Sequence, residues 1–343
     1  MKINSPACVV TGEKAVTLKH YEIDYSGVDC LVKIIRGGIC GSDLHYYQHG
    51  RVGNYAITAP MILGHEVIGI IEKSDRAELP PETHVAINPS KPCGTCKYCR
   101  AKEENQCINM HFFGSAMYTP HIDGGFSQYK IVSGDQCIPY SATVDGQIMV
   151  FAEPLAVAIH AVKQAGDITG KKVFVSGVGP IGCLVAAAAK VLGAAEIVTA
   201  DLSERCLQIS LAMGADKAIA ANSTMLDEYA NEKGYFDISF EASGHPSSVN
   251  RCLQITRAKG NIVQVGMGGP INEFPMMTLI AKEISLIGTF RFTEEFRTAV
   301  NWLENKKINP LPLLSSEYNY SDFEQALIFA GDKSRASKVQ LVF

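Results

Sequence analysis

Four cysteines crowd into fifteen residues at Cys93-x2-Cys96-x2-Cys99-x7-Cys107. Four soft thiolates on one short loop can close a tetrahedron around zinc and leave no open position, which is the chemistry of a structural site. Buried free cysteines are the alternative, but three such close spacings rarely arise by chance. A zinc-ribbon module for nucleic acid would be followed by a basic patch, and none follows here. A second set is dispersed. Cys40 and Ser42 sit in Gly37-Gly38-Ile39-Cys40-Gly41-Ser42-Asp43-Leu44-His45, His65 and Glu66 in Gly64-His65-Glu66-Val67-Ile68-Gly69, and Glu153 follows Phe151-Ala152. Cys40 and His65 suit zinc, and Glu66 or Glu153 could supply a third ligand. Three protein ligands and one open position make a catalytic zinc. Taken singly these residues are weak signs, because a histidine among glycines is more often a hydrogen-bonded loop residue.

A third pattern is Val173-Phe174-Val175-Ser176-Gly177-Val178-Gly179-Pro180-Ile181-Gly182, a GxGxxG that follows a strand and opens a helix. Gly177 allows the tight turn, Gly179 lets the backbone approach a pyrophosphate, and Gly182 lets helix and strand pack closely. Pro180 and Ile181 begin the helix, whose free N–H groups and positive dipole end suit phosphate. Asp201 closes the next strand, 24 residues after Gly177. Its carboxylate can accept hydrogen bonds from adenosine ribose hydroxyls and repel a 2′-phosphate, which favours NAD over NADP. Arg205, four residues on, could soften that preference and admit NADP.

The elements that must position these residues fall into two textures. Residues 1–150 hold short β-type runs at 30–36, 67–71, 84–87 and 127–132, separated by Gly, Pro and Asn. From residue 151 strands alternate with helices: strands at 172–176, 195–201, near 218, and at 236–242, 261–265 and 284–289; helices at 180–192, 204–213 and 247–256. That alternation predicts an α/β fold with a parallel sheet covered on both faces. A helix at 294–305 and a β-type tail at 338–343 complete the chain.

The 343 residues predict two or three domains. An apolar fraction of 47% with 19% charged residues gives ample material for a core and excludes disorder as the main state. The net charge of −4, from 31 basic and 35 acidic residues, leaves no electrostatic footprint for nucleic acid or an anionic membrane. The longest apolar stretch, Ile181 to Ala189, is far short of a membrane span. The opening residues MKINSPACVV carry no apolar core of a signal peptide, and the 11 cysteines are expected to be reduced, so a cytoplasmic protein is expected.

GGICGSDLH, LGHEVIG, the four-cysteine loop and SGVGPIG, in this order, resemble the zinc-dependent medium-chain dehydrogenases over the whole chain. The polyol (sorbitol-like) branch is the most similar. Its marks are Glu66 beside the zinc histidine, Glu153 where alcohol dehydrogenases place a second cysteine, Gly50-Arg51-Val52-Gly53-Asn54, and Gly288-Thr289-Phe290-Arg291. The resemblance implies a GroES-like β-barrel catalytic domain, residues 1–150 and 290–343, carrying the structural zinc loop. It implies an inserted Rossmann domain, 151–289, with a doubly wound parallel sheet that binds NAD. It also implies a cleft active site, two zinc ions per chain, and a homodimer or homotetramer.

For function the resemblance implies oxidation of a secondary alcohol of a sugar acid, L-idonate to 5-keto-D-gluconate, by hydride transfer to nicotinamide. Neutral polyols (sorbitol, xylitol) or threonine are the alternative substrates, and a non-catalytic NAD-binding protein is the alternative from another class. Zinc serves such chemistry as a Lewis acid that lowers the hydroxyl pKa. By resemblance Cys40, His65 and one carboxylate hold the metal, Ser42 accepts the alcohol proton, and His45 passes it toward solvent. Asp43 is expected to orient its neighbours. Arg291 follows the last strand of the inserted domain, and its planar guanidinium suits a substrate carboxylate. A salt bridge from Arg291 to Glu294 or Glu295 is the structural alternative.

Overall fold

Strand Lys2–Gly12 turns back on Ala15–Asp24 as a long antiparallel hairpin, with Ala7 to Val10 wholly buried. The computed structural model describes residues 1–271 and 273–343. The chain divides into two units. The first comprises residues 1–153, 296–305 and 314–343; the second comprises 154–295 and 306–313.

The first unit is built on a mostly antiparallel seven-stranded sheet. Its order is Cys137–Pro139, His84–Ile87, Glu66–Ser74, Cys30–Gly38, Lys338–Val342 and Leu314–Asn319, and Tyr129–Val132 also pairs with Cys30–Gly38. The strand Cys30–Gly38 therefore serves three partners. It changes register twice against Glu66–Ser74, between Leu31 and Val32 and between Ile34 and Arg36. Such irregularities bend a strand, and they are frequent next to functional sites. At its end Gly38 lies opposite Glu66 on one side and Gln340 on the other. Three distant parts of the sequence thus converge just before Cys40. Val32, Ile34, Phe126 and Leu341 are fully buried beneath them.

The second unit holds six parallel strands in the order Lys217–Ala220, Glu196–Asp201, Lys172–Ser176, Phe236–Glu241, Thr256–Gln264 and Ser285–Gly288. This is the expected doubly wound sheet. The strand Lys172–Ser176 is buried from Val173 to Ser176, as a strand covered on both faces must be. Helix Pro180–Val191 buries Gly182 to Ala189 without a break, and its alanines let it lie close to the sheet. Among the described residues no helix is long and apolar enough to cross a membrane.

Candidate active site and metal centres

In the cysteine loop the four sulfurs gather around one point. Cys93 and Cys99 are 4.0 Å apart, Cys96 and Cys99 3.5 Å, and Cys96 and Cys107 3.9 Å. Four sulfurs each about 2.3 Å from a tetrahedral zinc would stand about 3.8 Å from one another. The donor set fits zinc in chemistry and in span. Backbone N–H groups of Thr95 and Cys96, with the Thr95 hydroxyl, hold the Cys93 thiol at about 5, well below its usual value. Cys96 is lowered likewise by the N–H groups of Cys99 and Ile108. Burial and the neighbouring sulfurs push Cys99 up to about 12. Local N–H donors thus favour the thiolate at Cys93 and Cys96. Met110 and Phe112 pack on the loop, and the Phe112 ring also lies 5.4 Å from that of His65.

Cys40, His65 and Glu66 form the second set, with one ligand atom of each within 4.8 Å of the others. Cys40 caps helix Gly41–His49. Asp43 stitches the Cys40 and His65 segments together: one carboxylate oxygen accepts the Cys40 N–H at 2.9 Å, the other the Gly64 N–H at 3.1 Å. Asp43 is fully buried, and that burial raises its pKa against the opposing pull of His65. Glu66 fits only because Gly38 has no side chain, since a Cβ there would lie 2.2 Å from a carboxylate oxygen.

Glu66 is also paired with a residue that the sequence reading missed. Lys338 donates to both of its oxygens at 2.7 Å and to the Ile39 carbonyl at 3.2 Å. Lys338 is raised despite burial, by the charges of Glu66 and Cys40. Glu153 is buried as well and makes no hydrogen bond among the described residues. Burial pushes its carboxyl up to about 8, opposed by His65 and reinforced by Glu66 and Cys40. Burial raises Cys40 to about 12 in the same way. A pocket that strains to keep a thiol and a carboxyl charged is suited to a divalent cation. The sequence signal for Lys338 was a lone cation opening the apolar tail strand Lys338–Val342.

Ser42 is half-buried in the first turn of the Gly41–His49 helix, and its N–H donates to the Cys40 sulfur. His45 is exposed, its ring 5.7 Å from that of His49. Burial, His49 and Lys333 lower its pKa and favour the neutral imidazole. Arg291 belongs to the second unit, and its guanidinium lies 4.8 Å over the Phe290 ring. Glu294 and Glu295 meet Lys163 at 3.4 and 3.0 Å.

The glycine loop of the second unit has the form that a pyrophosphate needs. Gly177 takes a left-handed φ of 86°, and a Cβ on Gly182 would lie 1.9 Å from the Gly177 carbonyl. Gly179 caps helix Pro180–Val191, with Pro180 at its start and no side chain satisfying its first N–H groups. Nothing stands within 4 Å of where a Gly179 Cβ would be, so the cradle is open to a ligand. Ile181 is half-buried beside it. The Asp201 carboxylate oxygens accept the N–H groups of Val178 at 2.8 Å and Ser203 at 2.9 Å, which ties the glycine loop to the next strand.

Residues 26–142 match the alcohol dehydrogenase GroES-like domain, and residues 180–305 match the zinc-binding dehydrogenase domain. The chain is 62% identical, over 343 residues and all of both chains, to the L-idonate 5-dehydrogenase (NAD(P)(+)) of Escherichia coli K12. It superimposes on the crystal structure of L-idonate 5-dehydrogenase from E. coli K-12 MG1655 with a TM-score of 0.99, covering 100% of this chain and 99% of that one. It is 36% identical over 311 residues to the D-xylulose reductase A of Aspergillus niger, covering 87% of this chain and 85% of that one. The chain belongs to the zinc-binding alcohol dehydrogenase family.

Proposed function

We propose that this protein oxidises L-idonate at C5 to 5-keto-D-gluconate, with NAD as hydride acceptor and NADP as a weaker substitute. The observation that carries this is full-length identity of 62% to an L-idonate 5-dehydrogenase, in a chain that gathers Cys40, His65 and Glu66 at one buried point. Residues 1–150 and 290–343 act as the catalytic domain and 151–289 as the nucleotide domain. Cys93, Cys96, Cys99 and Cys107 hold a structural zinc. Cys40, His65 and a carboxylate from Glu66 or Glu153 hold a catalytic one.

Zinc held there supplies a Lewis acid that makes a secondary hydroxyl acidic near neutral pH. NAD supplies the hydride acceptor. The chain's own residues do the rest. Asp43 fixes the spacing of the Cys40 and His65 segments. Ser42 Oγ accepts the proton of the substrate hydroxyl, and His45, neutral and exposed, carries it to solvent. Lys338 balances Glu66, so Cys40 and Glu153 can both be charged without leaving the site anionic once a dication is present. Gly177 and Gly182 shape the turn whose open face at Gly179 receives the pyrophosphate, Asp201 receives the adenosine ribose, and Arg291 holds the substrate carboxylate.

The chain acts in the cytoplasm as a homodimer or homotetramer. Support for self-association is the edge strand Ser285–Gly288, which carries no charge and exposes Leu286, with Met276, Met277 and Ile280 exposed on the preceding helix. Bare apolar edges of this kind invite strand pairing. The test of function is NADH formation over L-idonate, sorbitol, xylitol and L-threonine. The highest kcat/KM is expected for L-idonate. Preference for sorbitol or xylitol would overturn the substrate.

A further inference from the structure

Glu241 closes the strand Phe236–Glu241 and is fully buried. Among the described residues no cation pairs with it, and its partners are all neutral donors. One oxygen accepts the N–H of Ser243 at 2.9 Å and the Ser243 hydroxyl. The other accepts the N–H of Gly244 at 3.0 Å and the side-chain amide of Gln264. Gln264 ends the neighbouring strand, and its amide also donates to the Gly266 carbonyl at 2.8 Å. The main chain repeats the tie, since Val265 and Gly266 both donate to the Glu241 carbonyl at 2.8 Å. One side chain thus fastens two loops, 243–244 and 264–266, at the carboxyl ends of adjacent parallel strands. An unpaired buried anion is costly. What it gains here is convergence, because only an acceptor at both oxygens draws all these donors to one point.

The location of this knot gives it a use. The sheet winds one way from Lys172–Ser176 to Lys217–Ala220 and the other way through Phe236–Glu241 to Ser285–Gly288. Ligands of such sheets bind outside the strand ends where the winding reverses. Gly177 stands on one side of that point. A Cβ on Gly177 would lie 2.6 Å from the Ser243 nitrogen, so the glycine loop rests against the loop that Glu241 holds. Asp201 lies beyond Gly177, on the adenosine side. The Glu241 loops lie on the opposite side, which leaves them the nicotinamide half of a dinucleotide.

We propose that Glu241 is a positioning residue that holds loops 243–244 and 264–266 as the seat of the nicotinamide half of the cofactor. This rests on the reading of the second unit as the NAD site. The test uses zinc-loaded protein and two probes, NADH followed by its fluorescence and ADP-ribose followed by calorimetry. Glu241→Gln keeps the shape but turns an amide toward N–H donors. It should weaken NADH at least tenfold and ADP-ribose less than twofold. Ser243→Ala, which removes one donor and keeps the anion, should weaken NADH about threefold and serves if Glu241→Gln fails to fold. Unchanged NADH binding in both variants, or equal losses for NADH and ADP-ribose, would overturn the proposal. Wild-type protein that binds neither probe would overturn the nucleotide reading itself, and this proposal with it.

Discussion

The ammonium of Lys338 lies 2.7 Å from each carboxylate oxygen of Glu66, and both side chains are buried beside Cys40 and His65. The pair joins the last strand of the chain to the strand that follows His65. Removing one partner of a buried ion pair leaves an uncompensated charge and costs about 3–5 kcal/mol. Lys338→Met should lower the melting temperature markedly. It should also free Glu66 to act as an extra anion at the metal, so zinc is retained while kcat falls at least tenfold. Lys338→Arg should lose less on both counts. Zinc analysis beside steady-state kinetics checks this; unchanged kcat in Lys338→Met would remove the balancing role.

Cys99 is a buried corner of the sulfur cluster. Cys99→Ala should release one zinc per chain and impair folding or assembly, since a four-thiolate site contributes folding energy directly. Metal analysis with thermal unfolding measures both. A variant that keeps its full zinc and melts like wild type would refute a structural metal on this loop.

Asp201 holds the glycine loop through Val178, and in the proposed function it receives the ribose hydroxyls. Charge-assisted hydrogen bonds are worth about 1.5–3 kcal/mol. Asp201→Ala should therefore weaken NAD tenfold or more and NADP much less, narrowing the gap between them. Equal wild-type kcat/KM for the two cofactors, or preference for NADP, would show that Asp201 is not the selector.

Glu295 accepts from Thr293 at 2.9 Å and meets His160 at 3.3 Å and Lys163 at 3.0 Å. Burial opposes its charge, but the His160, Thr293 and Lys163 hydrogen bonds prevail and hold its carboxyl well below the ordinary range. Its folded pKa lies below its unfolded one, so the stability it contributes is present above about pH 4.3 and is lost as pH falls below that. Glu295→Gln should cost about 2–3 kcal/mol at neutral pH, the low end for a buried pair because Lys163 is partly solvated. The difference from wild type should shrink under acid. Denaturant unfolding at pH 7 and pH 4 tests this, and a cost that grows on acidification would contradict it.

Much of the second unit was legible in the sequence. Lys172–Ser176 and Glu196–Asp201 are continuous β-branched or apolar runs, and Gly177 to Gly182 mark the turn between strand and helix. The first unit was harder to read. Helix Gly41–His49 carries no apolar stripe, because Asp43, Tyr46 and Tyr47 are buried for their hydrogen bonds and rings. Strand Lys2–Gly12 contains Pro6 and small residues, and its burial comes from distant strands. At the metal site, Cys40 and His65 stood out by type and spacing. Lys338 did not, for its meaning depends on Gln340 pairing with Gly38 across the sheet. Glu241 was hidden likewise, since an acid at a strand end gains its partners only when Gln264 comes alongside.

The most direct test measures zinc content and turnover together in wild type and Cys40→Ala. Two zinc ions per chain and NADH formation from L-idonate are expected of freshly purified wild type. Cys40→Ala should keep one zinc, bind NADH and melt close to wild type, yet show no turnover. Full wild-type activity with one zinc or none, or turnover retained in Cys40→Ala, would contradict a catalytic metal held by Cys40, His65 and a carboxylate.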